Sequence, residues 1–293
     1  MSVKRATQEL AGRDQAGGRA HAPELRAFTL IEMLVVIAII GIMAAISVPM
    51  FSNFRKADAE AAAQRQLLDD IGRARQFAIS RRSDVYMVFV PRNFWDNNGG
   101  ITANLNPYNA LTPLQKTNAY ALLDKQLIGY NFVSLRDVGD QPGVQHPKYL
   151  TEWQVMPDGV FIPEYKFALR SATPVISMPN SEGPFPHPVY GFNYSTAIPF
   201  PVADALPDNT GNYIGVPYLA FNSLGQLISD RDQEIIPLAR GTVVHPLDVN
   251  KKPLYQAPTL TEKPTTNSIS SAYTIIVIDR LTGRAHVERQ KPQ

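Results

Sequence analysis

Hydrophobic and polar residues are distributed unevenly along this chain, and the longest apolar run lies near its N-terminus. The run extends from Phe28 to Met50, and no charged residue occurs from Met33 through Phe54, a stretch of 22 residues. At about 1.5 Å of rise per residue, a helix of this length extends roughly 33 Å, enough for a hydrocarbon core of about 30 Å. The pattern predicts a transmembrane helix half over residues 28–54.

The helical pattern continues beyond the apolar run but becomes amphipathic. Residues 55–82 are rich in Ala, Arg, Gln and Leu, which are good helix formers. Small and aliphatic side chains recur at helical spacing and form one stripe, which comprises Leu67, Ile71, Ala74 and Ala78. The sequence therefore predicts one helix of roughly 50 residues whose second half packs on a soluble sheet.

The remainder of the chain, residues 83–293, has the pattern of a β-rich head. Residues 84–90 alternate Val, Tyr, Met and Phe and end at a proline, which indicates a strand. Three further pairs of apolar segments flank turn residues and predict hairpins, at 153–156 with 159–162, 216–221 with 226–228, and 273–278 with 284–288. The predicted fold class is α+β, with one long helix packed on an antiparallel β-sheet.

Two long insertions are expected in this head, at about 92–150 and 163–263. From Pro163 to Pro264 the chain carries 15 of its 24 prolines, a density typical of surface loops and edge strands. A short helix is predicted within 112–127. Exposed insertions are natural contact surfaces for partners, and they are equally well explained as passive decoration.

The residues around the start of the apolar run resemble a known processing site. The segment Ala27-Phe28-Thr29-Leu30-Ile31-Glu32 is similar to the prepilin peptidase site of type IV pilins and type II secretion pseudopilins. In that family the cut falls before a Phe, the new N-terminus is methylated, and the fifth mature residue is Glu. The resemblance makes residues 1–27 a leader peptide, Ala27 and Phe28 the cleavage site, Phe28 the methylated residue and Glu32 the assembly residue.

The resemblance extends along the helix and, more loosely, into the head. Gly41 and Pro49 fall where the family often has Gly and Pro, and both residues weaken a helix. Membrane helices also accept these residues readily, so their presence has two explanations. Ala27 departs from the Gly usual in the family. The junction GRARQFAISRRSDVYMVFVP, the segment FNSLGQL and the closing YTIIVIDRLTGRAHVE are similar to the GspH/FimT group of minor pseudopilins and pilins.

The chemistry of Glu32 is consistent with this family. A carboxylate within a membrane helix costs on the order of 2.5–3.5 kcal/mol at the bilayer centre, so such a residue usually has a functional partner. Cleavage before Phe28 creates an α-ammonium one helical turn from Glu32, in the same subunit or in a neighbour. An ion pair there recovers part of the cost and fixes the axial register of stacked subunits.

The resemblance implies partners and a location. The partners are other pilin or pseudopilin subunits, a prepilin peptidase and methyltransferase, an inner-membrane assembly platform and lipid. The location is the bacterial cytoplasmic membrane, crossed once, with the head exported. An ordinary signal anchor and a cleaved secretory signal peptide are weaker alternatives for the apolar run. For the whole protein, the alternatives are an anchored binding protein that never polymerises and a secreted enzyme.

Composition excludes several classes of function. The chain has no cysteine, so it forms neither disulfides nor thiolate sites. Its net charge of +2 falls to zero when the leader is removed, which gives no electrostatic basis for nucleic-acid binding. We identify no catalytic motif and expect neither an enzyme nor a cofactor. Asp230, Asp232 and Glu234 alternate in a predicted loop and are weak candidates for calcium ligands.

Overall fold

The computed structural model describes residues 29–96, 111–136, 139–140, 146–179, 186–201, 213–270 and 273–289, with only the backbone described for residues 46–58. By its contacts the chain divides into two compact units, Met1–Phe51 and Ser52–Gln293. The helices are α1 (Leu30–Arg81) and α2 (Pro113–Tyr120), with 3₁₀ turns at Leu123–Lys125 and Glu164–Phe167. The strands are β1 (Val85–Phe89), β2 (Gly129–Ser134), β3 (Lys148–Tyr149), β4 (Gln154–Val155), β5 (Val160–Phe161), β6 (Ile176–Met178), β7 (His187–Val189), β8 (Ala197–Pro199), β9 (Tyr213–Gly215), β10 (Tyr218–Phe221), β11 (Gln233–Val244), β12 (Thr259–Glu262), β13 (Thr274–Asp279) and β14 (Ala285–Arg289).

The single long helix predicted from the sequence is confirmed, since α1 contains 52 residues without interruption. Within the unit Ser52–Gln293, the predicted apolar stripe of Leu67, Ile71, Ala74 and Ala78 is fully buried. These side chains share one core with residues from two antiparallel sheets. Burying each large aliphatic side chain contributes about 1.5–3 kcal/mol, so packing rather than intrinsic propensity holds this part of the helix.

The first sheet has the strand order β10-β1-β2-β3, with β4 also paired to β2, and all its pairs are antiparallel. All five residues of β1 are buried. Alternate residues such as Met87 face the core shared with α1, while Val88 faces a second core that contains Phe94, Phe200 and Ile214. Both faces of the sheet are therefore covered, which explains why β1 is an almost continuous apolar run.

The second sheet has the order β12-β11-β13-β14, with β5 paired to β11. Ile276 and Ile278 of β13 face the core shared with α1, and Ile275 and Val277 face a third core, which the β6–β7 hairpin supplies with Met178 and Val189. The α+β class, with a long helix against antiparallel sheets, agrees with the sequence prediction.

The two insertions contain strands of the main sheets as well as loops. Strand β2 lies within residues 92–150 and pairs with β1, and β11 lies within 163–263 and is the longest of the described strands, with 12 residues. Pro237 lies inside β11 opposite Ile275. Residues 233–238 pair with β13 alone, because β5 and β12 pair only with residues 239–244. Proline is tolerated at position 237 because one side of the strand is unpaired there, so the missing N–H breaks no ladder.

The predicted hairpin at residues 153–162 was wrong. Strand β4 pairs with β2 of the first sheet, and β5 pairs with β11 of the second. The Pro157-Asp158 turn therefore carries the chain from one sheet to the other. The hairpin of β13 and β14 is confirmed, and residues 226–228 contribute a single bridge between Phe221 and Leu227. The predicted short helix corresponds to α2 and the 3₁₀ turn that follows it.

Two tight turns meet beside α1 and join the sheets to it. Gly225 and Gly283 have positive φ angles of 77° and 62°, which favour glycine. A Cβ atom at Gly283 would lie 2.0 Å from the Gly225 carbonyl oxygen. Arg75 of α1 donates from Nε to the carbonyls of Gly225 and Thr282, at 3.1 and 2.9 Å. The close approach of the turns therefore depends on residues without side chains.

Candidate assembly site at the start of the long helix

The first turn of α1 is closed by a reciprocal pair of hydrogen bonds between Thr29 and Glu32. Because α1 begins at Leu30, Thr29 occupies the N-cap position and Glu32 the third helical position. The Glu32 backbone N–H donates to Thr29 Oγ1 at 3.2 Å, and the Thr29 backbone N–H donates to Glu32 Oε2 at 2.8 Å. This arrangement is a capping box, which satisfies two helix N–H groups that otherwise lack partners.

The cap also orients the carboxylate of Glu32. The Thr29 hydroxyl donates to the same oxygen, Oε2, at 2.8 Å, so two donors hold this carboxylate in place. Loss of an N-cap typically costs about 0.5–2 kcal/mol. The sequence signal for this contact was a Thr-x-x-Glu spacing before an apolar run, which our sequence analysis did not use.

The residues after the cap form an exposed apolar surface. Eleven large apolar residues between positions 30 and 43 are 44–92% exposed, from Val36 at 44% to Leu30 at 92%. They surround the helix instead of forming one stripe. A helix that is hydrophobic on every side is typical of a segment buried by lipid or by other protein.

Among the residues that the structure describes, no helix has the length and apolar character needed to span a lipid bilayer.

The other predicted residues of this region have different outcomes. Ala27 and Phe28, the predicted cleavage site, lie outside the described residues. The helix continues through Gly41 and Pro49, and a Cβ atom at Gly41 would meet no atom within 4 Å. The structure does not test whether these two residues weaken the helix, so that role stays a prediction.

A comparison with known protein families gives a match near the start of the chain. Residues 26–48 match the family described as the prokaryotic N-terminal methylation motif. The chain carries a pilin-type methylation motif. This match confirms, over that segment, the resemblance to type IV pilins and pseudopilins. No curated protein and no solved structure matches the chain.

The head places the predicted calcium candidates next to cations. Glu234 is almost fully buried on β11, where its two oxygens contact Lys166 and Arg170, the latter at 2.8 Å. Asp230 contacts Arg170 at 2.6 Å, and the fully exposed Asp232 lies 3.8 Å from Arg280. Each of the three carboxylates therefore has a side-chain cation within 4 Å.

The Lys166 and Arg170 contacts were not predicted from the sequence. Lys166 lies in the 3₁₀ turn Glu164–Phe167, is fully buried and also donates to the Tyr190 carbonyl at 2.8 Å. Burial lowers the pKa of Lys166 from its ordinary value, and the Glu234 carboxylate opposes that change. Burial likewise acts to raise the pKa of Asp230, but Arg170 outweighs it and holds that pKa below its ordinary value.

The structure also brings two histidines to one carboxylate. His187 Nε2 of β7 lies 3.0 Å from Glu288 Oε2, and His286 Nε2 lies 2.9 Å from Glu288 Oε1. Within the described part of the chain, no three histidine or acidic side chains are arranged to hold a metal ion. We interpret the His187–Glu288 contact as a link between the β6–β7 hairpin and β14, whereas the His286–Glu288 contact lies within β14.

Proposed function

We propose that this protein is a structural subunit, present in few copies, of a type IV pilus-like filament or a type II secretion pseudopilus. A prepilin peptidase cuts before Phe28, the new N-terminus is methylated, and the apolar segment anchors the protein in the cytoplasmic membrane before assembly. Its role is structural rather than catalytic. The match to the methylation motif at residues 26–48 carries this proposal.

The exposed surface of residues 30–43 supports assembly through the helix. Apolar side chains that stay in water cost about 25 cal/mol for each Å² of surface, so a segment exposed on all sides requires a cover. Lipid supplies that cover before assembly, and the corresponding helices of neighbouring subunits supply it in the filament. The inner-membrane assembly platform is the partner that transfers the subunit between these two environments.

Glu32 is proposed to pair with the α-ammonium that cleavage exposes at Phe28. In the described structure, its carboxylate has one oxygen bound by two Thr29 donors. The other oxygen, Oε1, makes no hydrogen bond to the described residues, and a carboxylate has lone pairs for several donors. The Thr29 cap therefore presents a fixed carboxylate to the ammonium of the same or a neighbouring subunit.

The cleavage step is tested by mass spectrometry of the N-terminal peptide of protein isolated from the producing cell. We expect a peptide that begins with N-methyl-Phe28. A mature chain that begins at any other residue contradicts the proposed processing, and an unmethylated Phe28 contradicts only the methylation step.

The role of Glu32 is tested by two substitutions that separate its charge from its cap. Glu32→Leu removes both, whereas Glu32→Gln removes the charge and keeps a side chain that closes the capping box. We expect both variants to remain membrane-bound and to be lost from sheared filaments, with Thr29→Ser as the matched control that keeps wild-type incorporation. Normal incorporation of Glu32→Gln refutes the ion pair.

The head gives a reason to keep the second candidate function, an exported and membrane-anchored binding protein that does not polymerise. It carries an open groove lined by Arg170 and Arg231, with a volume of about 680 Å³. This candidate is favoured if both Glu32 variants keep the activity and location of the wild-type protein. It also requires that the wild-type protein is absent from every filament fraction.

The similarity to the GspH/FimT group extends the proposal to the subgroup. Two of the three quoted segments correspond to the α1–β1 junction and to the β13–β14 hairpin. A subunit of that group assembles into a pseudopilus or a pilus, so co-purification with the other pseudopilins or pilins of the same cell tests this assignment.

A further inference from the structure

Five charged side chains in the head form a chain of alternating sign that ends in a surface groove. The order is Lys166, Glu234, Arg170, Asp230 and Arg231, and each neighbouring pair is in contact. The first three side chains are 0%, 4% and 13% exposed, and the last two, Asp230 and Arg231, are 56% and 30% exposed. The chain therefore connects the buried core to the groove.

This chain contains three cations and two anions, so it carries one uncompensated positive charge. The count does not change if the proton of the Lys166–Glu234 pair lies on Glu234, because the pair stays neutral. Arg170 binds both carboxylates, whereas Arg231 has only Asp230, which it shares, at 3.3 Å. The excess charge is thus least satisfied at Arg231, the end of the chain in the groove.

The guanidinium of Arg231 is held in place but is not saturated. Its Cζ lies 4.2 Å from the centroid of the Tyr190 ring, and Nη2 donates to the carbonyls of Ser171 and Ala172 at 3.4 and 3.3 Å. Its Nε atom is buried and faces Asp230 Oδ2 at 3.3 Å, and no hydrogen bond joins Nη1 to the described residues. A planar, pre-oriented guanidinium whose Nη1 group has unused donors binds oxyanions well.

The groove around Arg231 has the size and lining for a short peptide segment. Its volume is about 680 Å³. The lining includes the polar side chains of Asn193, Ser195 and Ser229 and the aliphatic side chain of Ile228. Ile228 is 39% exposed and offers an apolar contact beside the guanidinium.

We propose that this groove binds a carboxylate side chain of a polypeptide partner, with an adjacent apolar residue against Ile228. A carboxylate brings one negative charge and neutralises the chain, whereas a phosphate group brings about −1.5 to −2 charges and overcompensates it. Arg231 is the residue that contacts the carboxylate. The site lies wholly in the head, so it does not depend on processing or assembly of the N-terminal helix.

The experiment is isothermal titration calorimetry on the full chain in detergent micelles. The probe is acetyl-Leu-Glu-amide, the matched probe is acetyl-Leu-Gln-amide, and inorganic phosphate is the third ligand. We expect binding of the Glu peptide, with the Gln peptide and phosphate each at least about tenfold weaker, as expected for loss of a charge-assisted hydrogen bond. Binding of the Gln peptide as tightly as the Glu peptide, stronger binding of phosphate, or no binding of any probe overturns the proposal.

Variants assign the binding to the groove. Arg231→Gln is expected to weaken the Glu peptide at least about tenfold, and Arg231→Lys to restore part of the affinity by supplying a charge without the planar fork. Arg284→Gln, a substitution of an exposed arginine on the same head, is the matched control with unchanged affinity. Circular dichroism confirms that each variant is folded, and an Arg231→Gln variant that is folded and binds normally refutes the site.

Discussion

The pair Lys166–Glu234 is the most severe test of how the head is stabilised, because both side chains are withdrawn from water. The side chains are 0% and 4% exposed, respectively. Breaking a buried ion pair from one side costs about 3–5 kcal/mol, since it leaves an uncompensated charge in the interior. In Lys166→Met, Glu234 keeps Arg170 at 2.8 Å, so we expect the lower end of that range, about 3 kcal/mol.

The reverse change is expected to cost more. Glu234→Met deprives two cations of one anion, and Lys166 then keeps only the Tyr190 carbonyl and the face of Phe192, 4.7 Å from its centroid. We expect a loss near 5 kcal/mol. The double variant Lys166→Met/Glu234→Met leaves no unpaired charge at this position, because Arg170 retains Asp230. It should therefore be about 2–3 kcal/mol more stable than Glu234→Met alone.

The assay is urea unfolding of the full chain in detergent micelles, followed by the fluorescence of its two tryptophans. Linear extrapolation gives the free energy of unfolding of each variant. The matched control is Lys148→Met, which alters an exposed lysine and should change stability by less than about 0.5 kcal/mol. A double variant whose loss equals the sum of the two single losses would show that the pair is not coupled, and the reasoning would be wrong.

Three further predictions concern the turns and the contact between helix and sheet. Gly283→Ala should lower the free energy of unfolding by about 1–3 kcal/mol through backbone strain. Gly72→Ala, which lies within α1 and has open space around it, should raise the free energy of unfolding by about 0.5–1 kcal/mol. The same urea assay measures both variants, and equal effects contradict the turn geometry. Hydrogen bonds hold the pKa of Asp279 below its ordinary value of 3.8, so its stabilising effect is present above pH 3.8 and is lost as pH falls through the lowered value; the acid unfolding curve of Asp279→Asn should lack that component. Tyr130→Phe removes a hydroxyl that donates to the buried Asp70 at 2.5 Å, and it should lower the free energy of unfolding by about 1–3 kcal/mol. A negligible loss of stability would show that this contact does not link α1 to the first sheet.

Much of the fold was predictable wherever the signal lies in consecutive residues. The apolar stripe of α1, the buried run of β1 and the hairpin of β13 and β14 each repeat with the period of one element. The methylation motif is of the same kind, because its meaning depends on a short run of neighbouring residues. The Thr29–Glu32 cap belonged to this class as well, and its spacing was present in the sequence.

The placement of strands in the proline-rich insertions was decided by the tertiary structure. Proline density predicted loops and edge strands, yet Pro237 lies in the longest of the described strands. It is tolerated there because β5 and β12 pair only with residues 239–244 of β11. Likewise, β4 and β5 have the pattern of a hairpin but pair with β2 and β11. The alternation of residues along a strand shows which side chains share a face. It does not show which other strand pairs with it.

The chemistry of the head shows the same division most clearly. The sequence by itself determined the methylation motif, the long helix and the absence of cysteine chemistry, because each follows from residue type and local order. Only the folded chain brings Lys166 to Glu234, 68 positions away, and leaves Arg231 with an unmatched charge in a groove. A charge-bearing residue has a partner only where burial and distance supply one, and both quantities exist only after the strands have packed.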